Sequence, residues 1–417
     1  MAWEKIRTSC YPNNKVTPAR KIISMNKRIC IVGGGFGGLY TALRLNELPL
    51  ETTEKPEILL IDKRDRFLFT PLLYELITGE LQSWEIAPPF QEVLADTGIR
   101  FLQGEVTGID LENQWVKLAN NSQINYDKLV IALGGTTPLD IVPGAVEYAL
   151  PFRTLEDAYQ LEEKLRVLEH SKADKIRIAI VGGGYSGVEL ACKLADRLGE
   201  RGRIRLIEKG DMILASSPEF NRETAKQVLQ SKNVWIDLET TVDKIDSDTI
   251  SLFYKGQIDT IPVDLVLWTV GTRVVELVSK LPLKQEKGRL VVNTNLQSVD
   301  NPDVFALGDV AYCQDATGQE VPATAQVAFQ QSDYCAWNIW ACLTQRPLLP
   351  FRYQNQGEML SLGLDNATIT GNGVKLDGML AQTLRRLIYL YRLPNQQHQL
   401  SVGLNWITKP LFDLLQG

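Results

Sequence analysis

Twice along the 417 residues a short apolar run breaks into glycines and resumes as apolar residues at helical spacing. The first case is "RICIVGGGFGGLYTALRLNEL" from Arg28, the second "IRIAIVGGGYSGVELACKLADRL" from Ile176. An apolar run of this length without alternation predicts a strand buried on both faces, as in a parallel sheet. Leu39, Ala42 and Leu43 then fall on one helix face. Each helix leads to another apolar run, "EILLID" ending at Asp62 and "IRLIEKG" carrying Glu208. Each unit later reaches one more run that ends in glycine, "YDKLVIALGG" (Tyr126–Gly135) and "VDLVLWTVGTR" (Val263–Arg273). The repeat is thus a whole βαβ-type unit.

This pattern predicts an α/β protein with two doubly wound Rossmann-type domains. The second is inserted in the first, because "NPDVFALGDVA" has no counterpart within the second unit. The expected boundaries are 25–150 for the first domain, 151–272 for the second, 273–345 for the return to the first, and 346–417 for a C-terminal region. Residues 1–24 are expected to be a disordered extension. They hold five Lys/Arg, one Glu and no apolar core, which does not suit a secretory signal. With Met25 standing just before the first strand, a transit-like arm, an upstream extension and a misplaced start all stay open.

Composition removes several chemistries. A net charge of −6 gives no basic stripe for nucleic acid. The six cysteines include no C-x-x-C pair, so a zinc ribbon and a dithiol redox centre are both unsupported. Two histidines, His170 and His398, supply little for metal or serine–histidine catalysis, and no metal is expected. No apolar run is long enough to span a bilayer.

The glycines carry the positive signal. In G-x-G-x-x-G, the first glycine permits the turn and the second lets backbone approach a pyrophosphate; the third brings helix close to strand. Gly33, Gly35 and Gly38 form one set, Gly182, Gly184 and Gly187 the other. Asp62 lies 24 residues past Gly38 and Glu208 lies 21 past Gly187, spacings that suit an acid on ribose hydroxyls. Two such units predict two dinucleotides, one a flavin and one a nicotinamide, and hence hydride transfer. A carboxylate at Glu208 opposes a 2′-phosphate and favours NADH, although Arg203, Arg205 and Lys209 leave NADPH open.

The loop order, the "ALGG" strand end and "VFALGDVA" resemble the two-dinucleotide flavoprotein disulfide-reductase superfamily. Within it, the chain resembles the type II NAD(P)H:quinone dehydrogenases from about Met25 to its end. "FLFTPLLYELITGEL" (Phe67–Leu81) is similar to that family's flavin-proximal segment, and "TAQVAFQQ" (Thr324–Gln331) to its A-Q-x-A-x-Q quinone signature. The resemblance implies FAD in the first loop, with Thr70, Gly134, Asp309 and Ala325 joining its site and Leu72 and Leu73 lining it. It implies NADH or NADPH in the second loop, with Gly271 beside it. Gln326 and Gln330, four apart on one helix face, are implied to meet the flavin edge and the quinone carbonyls; by spacing alone they are two surface amides. Glu189, by resemblance, lies between nicotinamide and flavin and handles protons; as a bare residue it is an acid in a first helical turn, where the macrodipole favours it. Phe329 departs from the pattern, since many members carry His there.

The tail "GMLAQTLRRLIYLYRLP" resembles the family's membrane-anchoring segment. Leu380, Leu384, Leu387, Ile388 and Tyr391 form one stripe, with Arg385, Arg386 and Arg392 expected on the other side. A basic amphipathic helix followed by Trp406 and Lys409 suits a lipid interface; a core helix or a homodimer contact is the plainer reading of the same stripe. The resemblance leans to the cyanobacterial and plastid branch. It implies a peripheral protein on the cytoplasmic or stromal side of a plasma or thylakoid membrane, with a demethylphylloquinone-type naphthoquinone or plastoquinone as acceptor. Two alternatives stand beside it, a ferredoxin-type reductase and a redox sensor that holds FAD and NADH with little turnover.

Overall fold

The computed structural model describes residues 27–49 and 55–416, with side chains up to 408, so the 1–24 extension lies outside the described residues. The chain divides into two compact units. The first comprises residues up to Asp65, Leu94–Gly134 and Val274–Tyr353; the second comprises Arg66–Val93, Gly135–Arg273 and the chain from Gln354 onward.

The chain opens with β1 (Arg28–Val32), α1 (Phe36–Glu47), β2 (Glu57–Asp62), β3 (Ile99–Gln103) and β4 (Lys128–Ile131). Four of the five β1 residues are buried, as a run without alternation requires. An antiparallel meander, Val106–Asp110, Trp115–Leu118 and Gln123–Asn125, separates β3 from β4.

The second unit repeats this plan. It contains β5 (Ala149–Pro151), α2 (Leu155–His170), β6 (Ile176–Val181), α3 (Tyr185–Leu198), β7 (Gly202–Ile207), α4 (Glu219–Ser231), β8 (Trp235–Asp237) and β9 (Leu265–Trp268). Its parallel sheet runs β8-β7-β6-β9-β5. A second meander, Thr241–Ile245, Thr249–Tyr254 and Gln257–Pro262, stands between β8 and β9. Ile250, Leu252, Val266 and Trp268 share the core beneath it. The repeat therefore extends to the meanders, which the glycine loops alone did not announce. Thr154 caps α2 by accepting from Asp157 N at 3.1 Å, and the Asp157 carboxylate answers Thr154 N at 2.8 Å.

After the second sheet the chain re-enters the first. Here β10 (Val304–Ala306) pairs with β4 and completes the parallel order β10-β4-β1-β2-β3, and α5 (Ala325–Thr344) packs on α1. Thr324 caps α5 by accepting from Val327 N at 3.3 Å. Arg44 pairs with Asp333 at 3.0 Å, and Trp340 donates to Pro49 O at 2.7 Å, tying α1 to α5.

The C-terminal stretch adds to the second unit an antiparallel sheet, Glu358–Ser361, Ala367–Gly371 and Val374–Asp377. Helices α6 (Gly378–Arg392) and α7 (Gln396–Gln416) follow. Among the described residues no helix is long and apolar enough to cross a membrane.

Helix α6 turns its arginine face inward. Its stripe points outward, with Leu380 at 66%, Leu387 at 54% and Tyr391 at 80% exposure, while Arg385 is completely buried and Arg386 is half-buried. The cause is a set of acids on the segment before β3: Arg385 pairs with Glu75 and Arg386 with Glu80. Charge pairing thus decides which face turns inward. Trp406 is likewise pinned to protein, donating to Glu85 Oε1 at 2.8 Å. Lys409 lies beyond the described side chains.

Candidate functional site: two dinucleotide cradles and a buried charge cluster

The two glycine loops close in the same way. Gly33 has φ +101°, and a Cβ there would stand 2.3 Å from Ala132 O. A Cβ on Gly38 would stand 1.8 Å from Gly33 O, so the helix can begin against the loop only if this position has no side chain. Gly182 and Gly187 repeat the arrangement, with φ +110° at the first and 1.8 Å to Gly182 O at the second. Over Gly35 and Gly184, by contrast, a Cβ would meet nothing within 4 Å. Each loop thus leaves an open cradle at a helix N-terminus, where N–H groups and the helix dipole favour an anion. This geometry fits a dinucleotide pyrophosphate in both units.

The strand-end acids fasten the loops. Asp62 accepts from Gly34 N at 2.6 Å and from Arg64 N at 2.8 Å; Glu208 accepts from Gly183 N at 2.7 Å and from Gly210 N at 2.8 Å. Every carboxylate oxygen keeps a further lone pair for a ribose hydroxyl. Sequence spacing suggested only the ribose role, because a backbone partner leaves no residue-type signal.

In the first unit the predicted residues gather at the C-terminal edge of the sheet. Gly134, with φ +66°, follows β4, and Gly308–Val310 follows β10 and carries Asp309. Gly308 N donates to Gln331 Oε1 at 2.8 Å, which ties that turn to α5. Ala325 and Gln326 open α5, and Gln330 lies a turn further on, 7% exposed. Phe329 packs edge-on against Tyr40 of α1, ring centroids 4.7 Å apart. Gln331 was not singled out from sequence, although it adjoins Gln330.

In the second unit Thr70 opens a short 3-10 helix, Thr70–Leu76, in which Leu72 and Leu73 are buried. Gly271 has φ +78° with Pro138 Cγ 3.3 Å from its missing Cβ. Glu189, on α3, is 6% exposed, and its Oε1 accepts from Ser361 N at 2.8 Å. Arg385 Nη2 lies 3.6 Å away, donates to Pro71 O at 2.8 Å, and its Nη1 reaches Glu75 Oε1 at 2.5 Å. Burial pushes the Glu189 carboxyl up to about 7, against the opposing pull of Arg385. Burial also raises Glu75, but Arg385 and Lys193 outweigh it and hold that carboxyl below the usual range. Two neighbouring acids are thus pushed apart, which is the condition for one of them to exchange a proton near neutrality.

Cys30, Cys192 and Cys313 are buried, their thiols pushed up to about 12 by burial, and none of the described cysteines forms a disulfide. Among the described residues no cluster could hold a metal ion.

The sequence profile of the pyridine nucleotide-disulphide oxidoreductase family matches residues 27–332. The demethylphylloquinone reductase NdbB of Synechocystis is 60% identical over 94% of this chain and 98% of its own. This chain is a type II NAD(P)H:quinone oxidoreductase family member. An Arabidopsis thaliana alternative NAD(P)H-ubiquinone oxidoreductase C1, described as chloroplastic/mitochondrial, is 41% identical over 98% of this chain and 83% of its own. The fold agrees with that of Plasmodium falciparum NDH2 solved with NADH, at TM-score 0.83 and 19% identity, covering 93% of this chain and 98% of that one.

Proposed function

We propose that the chain takes electrons from NADH and, by way of a bound FAD, delivers them to a naphthoquinone of the demethylphylloquinone type at a membrane surface. The class of activity, NAD(P)H:quinone oxidoreduction, is that of its family. The duplicated cradle is the observation that carries the two-cofactor reading. When bound, the flavin supplies the two-electron exchange between nicotinamide and quinone.

The chain's residues bind, orient and handle protons. Gly33, Gly35, Gly38, Asp62, Gly134, Asp309 and Ala325 hold the FAD; Gly182, Gly184, Gly187, Glu208 and Gly271 hold the nucleotide. Gln326 and Gln330 donate to quinone oxygens as negative charge builds on them. Glu189 holds a proton at its carboxyl. The exposed residues Met379, Leu380, Leu387 and Tyr391 of α6, with Leu400, Leu404 and Ile407 of α7, support seating on the cytoplasmic or stromal face of a plasma or thylakoid membrane.

Anaerobic stopped-flow mixing tests this reading. NADH should reduce the flavin, and a naphthoquinone should reoxidise it faster than a benzoquinone; flotation with anionic vesicles reads the seating. Reduced flavin that no quinone reoxidises would sink the proposal.

NADH is favoured over NADPH. Arg205 is bidentate on Asp237 at 2.8 and 2.9 Å, and Arg203 donates to the carbonyls of Glu200 and Gly202, so both guanidinium groups have protein partners. Glu208→Gln should raise the NADPH:NADH ratio of kcat/KM by about tenfold, the equivalent of roughly 1.4 kcal/mol of relieved repulsion. An unchanged ratio would place the 2′ position away from Glu208.

A further inference from the structure

We propose that Tyr353 is a positioning residue for quinone reduction, acting through the amide of Gln326. This deepens the proposed function and rests on the placing of Gln326 at the quinone. The Tyr353 hydroxyl donates to Gln326 Oε1 at 2.8 Å. An amide has one accepting and one donating end of nearly equal size, and packing alone does not distinguish them. A phenol is the better donor, so it selects the oxygen end and turns the NH2 end the other way. A quinone oxygen that gains negative charge needs that donor. The reversed amide would set a carbonyl lone pair against it.

The phenol is itself held by a framework outside regular secondary structure. Tyr353 N donates to Asp315 Oδ2 at 3.3 Å. The other oxygen of Asp315 accepts from Thr317 N at 2.8 Å, Thr317 Oγ1 at 2.6 Å and Gln319 N at 3.3 Å. Two residues before Tyr353, Phe351 is fully buried; its N donates to Thr294 O at 2.7 Å and its O accepts from Ala316 N at 2.8 Å. The ring of Phe351 also meets Tyr334 of α5 edge-on at 5.1 Å. Gln326 is fixed from its own side by the Thr324 cap two residues earlier, which accepts from Val327 N. Both partners thus belong to one unit and are anchored separately, which is the arrangement a set amide requires.

The amide neither gives nor takes a proton or an electron. The two electrons and one proton come from NADH and the second proton from solvent, giving quinol and NAD+, and Gln326 only orients and stabilises.

The test uses the full-length, flavin-loaded protein with menadione as the quinone probe. Tyr353→Phe should reoxidise about tenfold more slowly, while NADH reduces its flavin at the unaltered rate. Gln326→Ala should slow reoxidation by about 10²-fold. Because Tyr353 acts through that amide, the double variant should match Gln326→Ala within about twofold. Gln326→Glu, which can still accept from Tyr353 but has lost its donor, should be slow as well. The dissociation constant of menadione for the oxidised protein, measured without turnover, should rise in Tyr353→Phe. Three results would each overturn the proposal: a further tenfold loss in the double variant, unchanged reoxidation in Tyr353→Phe, or an equal loss in the NADH step. Failure of menadione and every other quinone to reoxidise the unaltered protein is a different result, which removes the quinone reading itself and the proposal with it.

Discussion

Gly187→Ala is expected to yield a yellow protein that NADH cannot reduce. The added Cβ would lie 1.8 Å from Gly182 O and 3.2 Å from Leu206 Cδ1, so either the loop opens or α3 moves off the sheet. The loop carbonyl is backbone at φ +110° and cannot swing aside as a side chain could. Displacing a bound nucleotide by about 1 Å costs on the order of 10²-fold in rate, and loss of the cradle costs more. Flavin reduction by NADH should therefore fall by at least about 10²-fold, while flavin content, read from visible absorbance, stays normal. Gly38→Ala, with its own 1.8 Å approach to Gly33 O, should give the complementary outcome, a protein that does not retain flavin. A yellow Gly38→Ala protein beside a colourless Gly187→Ala protein would reverse the assignment of the two cradles. Normal reduction of Gly187→Ala would remove the second cradle from nucleotide binding.

The loops were legible because their requirements lie within a few residues of sequence. A strand buried on both faces must be apolar, a positive φ asks for glycine, and an approach of 1.8 Å admits no other residue. The strand-end acids were legible as positions but not in full as roles, since their partners are backbone N–H groups. Helix α6 shows where local pattern fails. Its period was legible and the burial of its arginine face was not: Glu75 and Glu80, partners of Arg385 and Arg386, lie 310 and 306 positions earlier in the chain. An amphipathic stripe states that two faces differ; which face turns inward depends on what waits there. Tyr353 was illegible for the same reason, because an irregular segment gives no period by which to place a hydroxyl on an amide 27 residues away.

Replacing Arg385 should be among the costliest single changes in the second unit. Arg385 and Glu75 are both fully buried, and Glu75 Oε2 and Arg385 Nε have no protein hydrogen-bond partner. The pair therefore relies on mutual attraction rather than on a full set of hydrogen bonds. Arg385→Met keeps much of the volume but strands Glu75 and leaves Glu189 without its nearest cation. Breaking a buried pair in this way costs about 3–5 kcal/mol, read as a lowered thermal midpoint at neutral pH. The double change Glu75→Gln with Arg385→Met should be milder than Arg385→Met alone, since no uncompensated carboxylate remains at position 75. The pH dependence has a definite sign. Glu75 is held below its ordinary 4.5, so its pairing stabilises the fold above that value and the contribution is lost as the pH falls through the folded value. The gap between wild type and Arg385→Met should therefore close on acidification. Glu189 works the opposite way: raised to about 7, it weakens the fold as the pH climbs from 4.5 to about 7, and more so without Arg385 to draw it down. The variant should accordingly be worst on the alkaline side of neutrality. A gap that stays constant from acid to alkaline pH would mean that Arg385 contributes packing alone, and that its charge does not set the proton affinity of Glu189.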